Sequence, residues 1–160
     1  ILKVVDGPCL MEGQTKLKSP LEAFVHCPRG FHALLFVLNF ACPRWTASDN
    51  SLVIFLKQTL GKDIIKNRGI LVITHGECFD LYTTRREWMT FETWCQKQEG
   101  GLGDLIKECG NRVILFYNLT PTKHEESVNK LITITHGFGK LFTCEFLKGV
   151  KSLGDHALGD

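Results

Sequence analysis

The sequence predicts an α/β fold: a mostly parallel sheet with helices on both faces. Three observations carry that expectation. Apolar runs with almost no polar alternation stand at Ala33–Phe40 ("ALLFVLNF"), Ile70–Thr74 ("ILVIT") and Val113–Tyr117 ("VILFY"), the pattern of strands covered on both sides. The stretches between them place apolar residues at helical spacing. Polar residues that could face a ligand follow directly on apolar runs: Asp6, then Thr74 to Glu77, then Asn118. Parallel strands joined by right-handed crossovers put their C-terminal ends on one edge, and ligands of open α/β sheets bind outside that edge.

Leu2–Asp6 reads as a first strand, broken by Gly7-Pro8, and residues 10–19 read as a polar loop. Pro20 to His26 suits a short helix with proline in its first turn. Ala33–Phe40 is the next strand. Thr46 to Gly61 carries the clearest helix signals: Thr46-Ala47-Ser48-Asp49 resembles a capping box, and Leu52, Val53, Phe55, Leu56 and Leu60 follow at helical spacing. Gly61 can end that helix in the left-handed conformation. After the strand at Ile70–Thr74, a helical region from Phe91 to Cys109 is interrupted by Gly100, Gly101 and Gly103. Val113–Tyr117 is a strand, and Val128, Leu131, Ile132 and Ile134 mark a helix after Pro121.

Composition narrows the function. With 160 residues, 44% of them hydrophobic and 22% charged, the chain suits one globular domain with a sizeable core. A net charge of +2 gives no basic field of the kind nucleic-acid binding needs. Lys16, Lys18, Lys62, Lys66 and Arg68 read as solvated surface. No apolar run reaches the length of a membrane helix, and no signal-peptide pattern opens the chain. The 7 cysteines are odd in number and include no C-x-x-C pair, which favours reduced thiols in a cytoplasmic protein over a disulfide framework or a zinc site. The 6 histidines show no metal-ligand spacing. The chain opens on Ile1, inside a strand-like run, which suggests a fragment.

At the predicted sheet edge stand two carboxylates, Asp6 and Glu77, and the amide of Asn118. A carboxylate accepts two parallel hydrogen bonds and an amide both donates and accepts. Together they suit guanine, which offers N1–H and N2–H₂ donors and an O6 acceptor. A carboxylate at a first strand end also suits magnesium beside phosphates.

The segments "VVDGPC", "GFHALLFVLNFACPRWTASDNSLVIFLKQTLGKDII", "ILVITHGECFD", "FETWC" and "LIKECGNRVILFYNLT" resemble the immune-associated nucleotide-binding GTPases, the GIMAP or IAN family with its avirulence-induced-gene-type G domain. The resemblance runs from Ile1 to His136. Its most specific part is the box formed by Gly30, His32, Ala33, Leu34, Leu35, Arg44, Thr46 and Asp49. It implies a three-layer, Ras-like P-loop GTPase fold without its N-terminal strand, phosphate loop, first helix and second strand. It makes residues 1–136 a partial G domain and leaves 137–160 as a tail, for which a frayed helix, a membrane-proximal segment and translated non-coding sequence all stay open.

Carried over by position, Asp6 resembles the switch II aspartate that contacts Mg²⁺ through water, and Cys9 stands where that motif has glycine. His75, Gly76 and Glu77 fall in the guanine-reading motif, with Glu77 where the wider GTPase pattern has aspartate. Asn118 matches the asparagine that completes the base pocket. The resemblance implies GTP or GDP with Mg²⁺ as ligands and a homodimer or an assembly with family members as the acting form. Cys9 implies slow hydrolysis, since glycine's freedom is lost where switch II must reorder. The sequence has no G-x-x-x-x-G-K-[ST], so tight nucleotide binding by these 160 residues is not expected. A pseudo-GTPase interaction module is the alternative. A flavodoxin-like or dinucleotide-binding protein of similar topology would need a glycine-rich phosphate loop that the sequence lacks. His32 is read as a satisfied structural histidine beside a buried strand, and Trp45, Trp88 and Trp94 as packing residues. Arg44 and Thr46 are read as positioning and capping the helix, with dimer contact as their functional alternative.

Overall fold

Gly69–Thr74 (β2) is the strand on which the rest is assembled, and its first five residues are all buried. In the computed structural model, which describes residues 2–7, 21–84 and 89–150, it lies between Leu34–Asn39 (β1) and Val113–Leu115 (β3). Both pairings are parallel, Leu34 opposite Gly69 through Asn39 opposite Thr74, and Leu71 opposite Val113 through Ile73 opposite Leu115. Leu21–Val25 (α1) precedes β1. Ala47–Leu60 (α2) and Ile64–Arg68 (α3) join β1 to β2. Gly76–Thr83 (α4), Phe91–Gln96 (α5) and Gly100–Glu108 (α6) join β2 to β3, and Pro121–Gly137 (α7) follows.

The strand order explains where the helices lie. A sheet that grows in one direction through two right-handed crossovers carries both on the same face. Accordingly Leu56, Leu60, Ile64, Ile65, Phe79, Trp94, Leu102, Leu105 and Ile106 share one core with Phe36, Leu71, Ile73 and Val113. The other face, Ile70, Val72 and Ile114, packs on Leu131, Ile134 and Phe138 from α7 and its end. The architecture is three layers, helix, parallel sheet and helix, as the resemblance implied for a P-loop GTPase-like domain.

Local chemistry sets the element ends. The capping box at Thr46 is present in full: Thr46 Oγ1 accepts from the Asp49 N–H at 3.3 Å, and Asp49 Oδ2 accepts from the Thr46 N–H at 2.8 Å. Gly61 ends α2 at φ +111° and ψ 146°, a positive-φ conformation but an extended one, not the left-handed helical cap the sequence suggested. The glycines of 100–103 start α6 and do not break it. Gly101 lets Trp45 close in, since a Cβ there would lie 2.2 Å from the indole Nε1. Arg112 pins the entry to β2, donating from Nε to the Gly69 carbonyl at 2.8 Å and from Nη2 to those of Ile65 at 3.1 Å and Lys66 at 2.6 Å.

Two strand expectations change. Leu2–Asp6 forms no strand: residues 2–7 lie in no element, with Leu2 and Val4 exposed and Lys3 Nζ donating to the His26 carbonyl at 2.8 Å. A strand-like run has no hydrogen bonds of its own to make, so its propensity is realised only beside a partner. β1 is buried on one face alone. Phe36 points into the core, while Leu35 and Val37 are 37% and 59% exposed on a face that no described element covers. α3 and α4, each too short to show a helical period, carry no helix signal in the sequence. The sequence assigns nothing to Phe138–Asp160, yet within that stretch Phe142 pairs with Phe31 in an antiparallel bridge and Leu147, in a helical turn at 145–150, is fully buried.

Candidate functional site

The C-terminal ends of β2 and β3 are tied beyond their last paired residues. Phe116 N–H donates to the Ile73 carbonyl at 2.7 Å, and Gly76 N–H donates to that of Phe116 at 3.0 Å. Between them His75 adopts a left-handed backbone, φ 63° and ψ 48°, which turns the strand directly into α4. Such a conformation costs a non-glycine residue about 1 kcal/mol or more. Thr74 Oγ1 lies 3.0 Å from His75 Nδ1 and donates to the Leu38 carbonyl at 3.2 Å, so the turn is linked to β1 as well.

Gly76 is buried beneath Tyr117, and a Cβ there would lie 2.8 Å from three carbons of the ring. The absence of a side chain is what lets the two strand ends meet. Tyr117 in turn donates its hydroxyl to Asp80 Oδ1 at 2.9 Å, Asp80 Oδ2 pairs with Lys123 Nζ at 2.5 Å, and that ammonium stands 4.5 Å from the tyrosine ring centre. Burial, and then the Asp80 carboxylate, push the Tyr117 hydroxyl's pKa up. The same carboxylate raises that of Lys123.

Glu77 then reaches the loop after β3. Its Oε1 accepts from three successive backbone N–H groups, Asn118 at 2.9 Å, Leu119 at 2.6 Å and Thr120 at 3.3 Å. These bonds, the one from Leu119 foremost, hold its pKa below the ordinary carboxylate value. Of the residues expected at the edge, His75, Gly76, Glu77 and Asn118 are therefore brought together. The contact runs from carboxylate to backbone; the Asn118 side chain is exposed.

Asp6 is not carried to this edge by strand pairing, and it lies exposed in the segment 2–7. Cys9 falls outside the described residues, as do Trp88 and the last ten residues. No group of three or more His, Cys, Asp or Glu among the described residues is placed to hold a metal. Asp6, the carboxylate expected near Mg²⁺, lies exposed and outside the sheet, and no step is derived through a metal. At the ends of β2 and β3, by contrast, a left-handed turn, the Glu77 carboxylate and the amides of the Asn118 loop converge.

Tyr117, Asp80 and Lys123 were missed by sequence reasoning. Asp80 and Tyr117 lie in quoted segments, but nothing in the spacing of Asp80 and Lys123 links them across 43 residues. The packing roles hold for Trp94, which is buried, and Trp45, which lies against Gly101. His32 is exposed just before β1, and its carbonyl accepts from Arg68 Nη1 at 3.3 Å. α4 also borders a cleft of about 540 Å³ lined by Phe40, Ala41, Pro43, Cys78, Leu81, Tyr82 and Trp94. That volume would admit a base, but none of its lining side chains among the described residues is charged. No helix among the described residues is long and apolar enough to cross a membrane. Residues 1–141 match the model of the AIG1 family, a family of GTP-binding GTPase domains, and the chain belongs to that family.

Proposed function

We propose that this chain is the base-recognising part of a GTP- or GDP-binding module that acts by nucleotide-dependent assembly, with hydrolysis slow. The observation that carries the reading is the meeting of the His75–Glu77 turn with the Asn118 loop at the C-terminal edge of the sheet. Guanine would lie on that edge, its N1–H and N2–H₂ facing Glu77 Oε2 and its O6 facing the exposed side-chain amide of Asn118. Phosphates would have to be held by other groups, because the chain has no G-x-x-x-x-G-K-[ST]. Backbone amides and a lysine in such a loop supply much of a nucleotide's binding energy. Cys9 in place of glycine supports slow turnover, and family resemblance supports assembly with a second copy or a relative. Thr46 is occupied in capping α2, which leaves the exposed Arg44 as the residue of its box free for such a contact. Six unpaired thiols among the described residues favour a cytoplasmic setting.

A second reading is supported by Glu77 itself, whose Oε1 is already committed to the protein. On that reading the chain is an interaction module that no longer selects a nucleotide. Competition against a fluorescent GTP analogue separates the two. The first expects weak binding, about millimolar or worse for want of a phosphate cradle, with GDP competing better than ADP. Equal competition by ADP would overturn it.

A further inference from the structure

Three consecutive amides aimed at one point form an anion-binding concavity. At Asn118, Leu119 and Thr120 that anion is the chain's own Glu77 carboxylate, at 2.9, 2.6 and 3.3 Å. Among the described residues the loop finds little other support. Leu119 is 81% exposed, and Thr120, the N-cap of α7, makes no side-chain capping bond. The nearest other ties are His124 Nδ1 to the Tyr117 carbonyl at 2.7 Å, Tyr117 N–H to Ser127 Oγ at 3.4 Å and His124 N–H to the Thr120 carbonyl at 2.8 Å, and none of them uses the three amides.

The opposite end of the contact is fixed. Gly76 is held by its N–H to the Phe116 carbonyl and by the Tyr117 ring above it, so the start of α4 has no room to approach the loop. The length of the side chain at position 77 therefore decides whether the carboxylate arrives. Aspartate is one methylene shorter and would withdraw it by about 1.5 Å. Contacts of 2.6 to 3.3 Å would then exceed hydrogen-bonding range.

We propose that Glu77 is a positioning residue that holds the Asn118–Thr120 loop from inside the fold, a task that requires glutamate and that aspartate cannot perform. The proposal rests on reading this edge as the base site, since the loop is what carries Asn118 there. One carboxylate oxygen fixes the loop, and Oε2 is left for a ligand's donors. Glu77→Asp brings the segment closer to the wider GTPase pattern, yet by this account it releases the loop and does not improve the site.

Amide hydrogen exchange, read residue by residue on the ¹⁵N-labelled chain without nucleotide, tests this. In the wild type the Asn118, Leu119 and Thr120 amides should be protected despite the loop's exposure. Glu77→Gln keeps a carbonyl oxygen at the same reach and should retain part of the protection. Glu77→Asp and Glu77→Ala should speed exchange at these three amides about tenfold or more. The Leu71–Ile73 amides should keep their protection in every variant, which reports an intact fold. Equal protection in Glu77→Asp and wild type would overturn the proposal, as would unprotected amides in the wild type. A GDP titration on the same spectra is a separate readout: if GDP moves no resonance, the base-site reading fails while the exchange result stands.

Discussion

Glu77 shows how one carboxylate acquires a role that its place in a motif does not reveal. Its position after a strand, a histidine and a glycine was legible in the sequence, and so was its proximity to Asn118. That its partners are backbone amides was not, because amides carry no sequence signature. The same holds for Gly76, whose need for a bare Cα arises from a tyrosine 41 residues away that packs on it. The Glu77 hydrogen bonds have a pH consequence. Its folded pKa lies below the ordinary 4.5, with the Leu119 N–H the largest cause. The stabilisation is therefore fully present above that ordinary value and is lost as pH falls through the lowered one. The elements that meet here also carry His75, Cys78, Asp80, Tyr82, Tyr117, Lys123, His124, Glu125, Glu126, Lys130 and His136, with Asp80 already paired to Lys123. An acid titration of the Leu119 amide shift should give a midpoint below 4.5. A midpoint at or above that value would contradict the contact.

At the scale of elements, what the sequence revealed depended on whether a signal was local. The α2 start was readable because a capping box lies within four residues, and both of its bonds are present. Thr46 Oγ1 also donates to Asp49 Oδ2 at 2.8 Å. Removing the hydroxyl frees the Asp49 N–H and loosens Asp49 itself, so Thr46→Ala should lower stability by about 1 kcal/mol. Urea denaturation measures it, and an unchanged midpoint would mean that the cap contributes nothing. By contrast, Leu2–Asp6 and the outer face of β1 were misread because their state depends on neighbours. An apolar run records that a strand could be buried on both faces, and whether anything covers it is a tertiary fact. The short helices α3 and α4 gave too few turns for periodicity to register. The break between α5 and α6 was visible as a glycine cluster, although the glycines proved to open the second helix.

For the molecule as a whole, the alternation of strands and helices was enough to expect a parallel sheet with ligand groups on one edge. The strand order β1-β2-β3 and the two-sided packing of β2 agree with it. The thiols agree too: burial pushes Cys109 up to about 12 and Cys95 up to about 11, so both stay protonated and act as core residues. What the sequence did not disclose is that residues 138–150 complete the core, Leu147 with no exposed surface and Phe142 across from Phe31. The central claim is that guanine is read where the His75–Glu77 turn meets the Asn118 loop. Its most direct test is a residue-resolved NMR titration of the ¹⁵N-labelled chain with GDP and, in parallel, ADP. GDP should shift resonances of residues 74–77 and 116–120, with a midpoint of about millimolar or weaker, and ADP should shift them far less. Equal shifts from the two nucleotides, or GDP shifts confined to other parts of the chain, would contradict it.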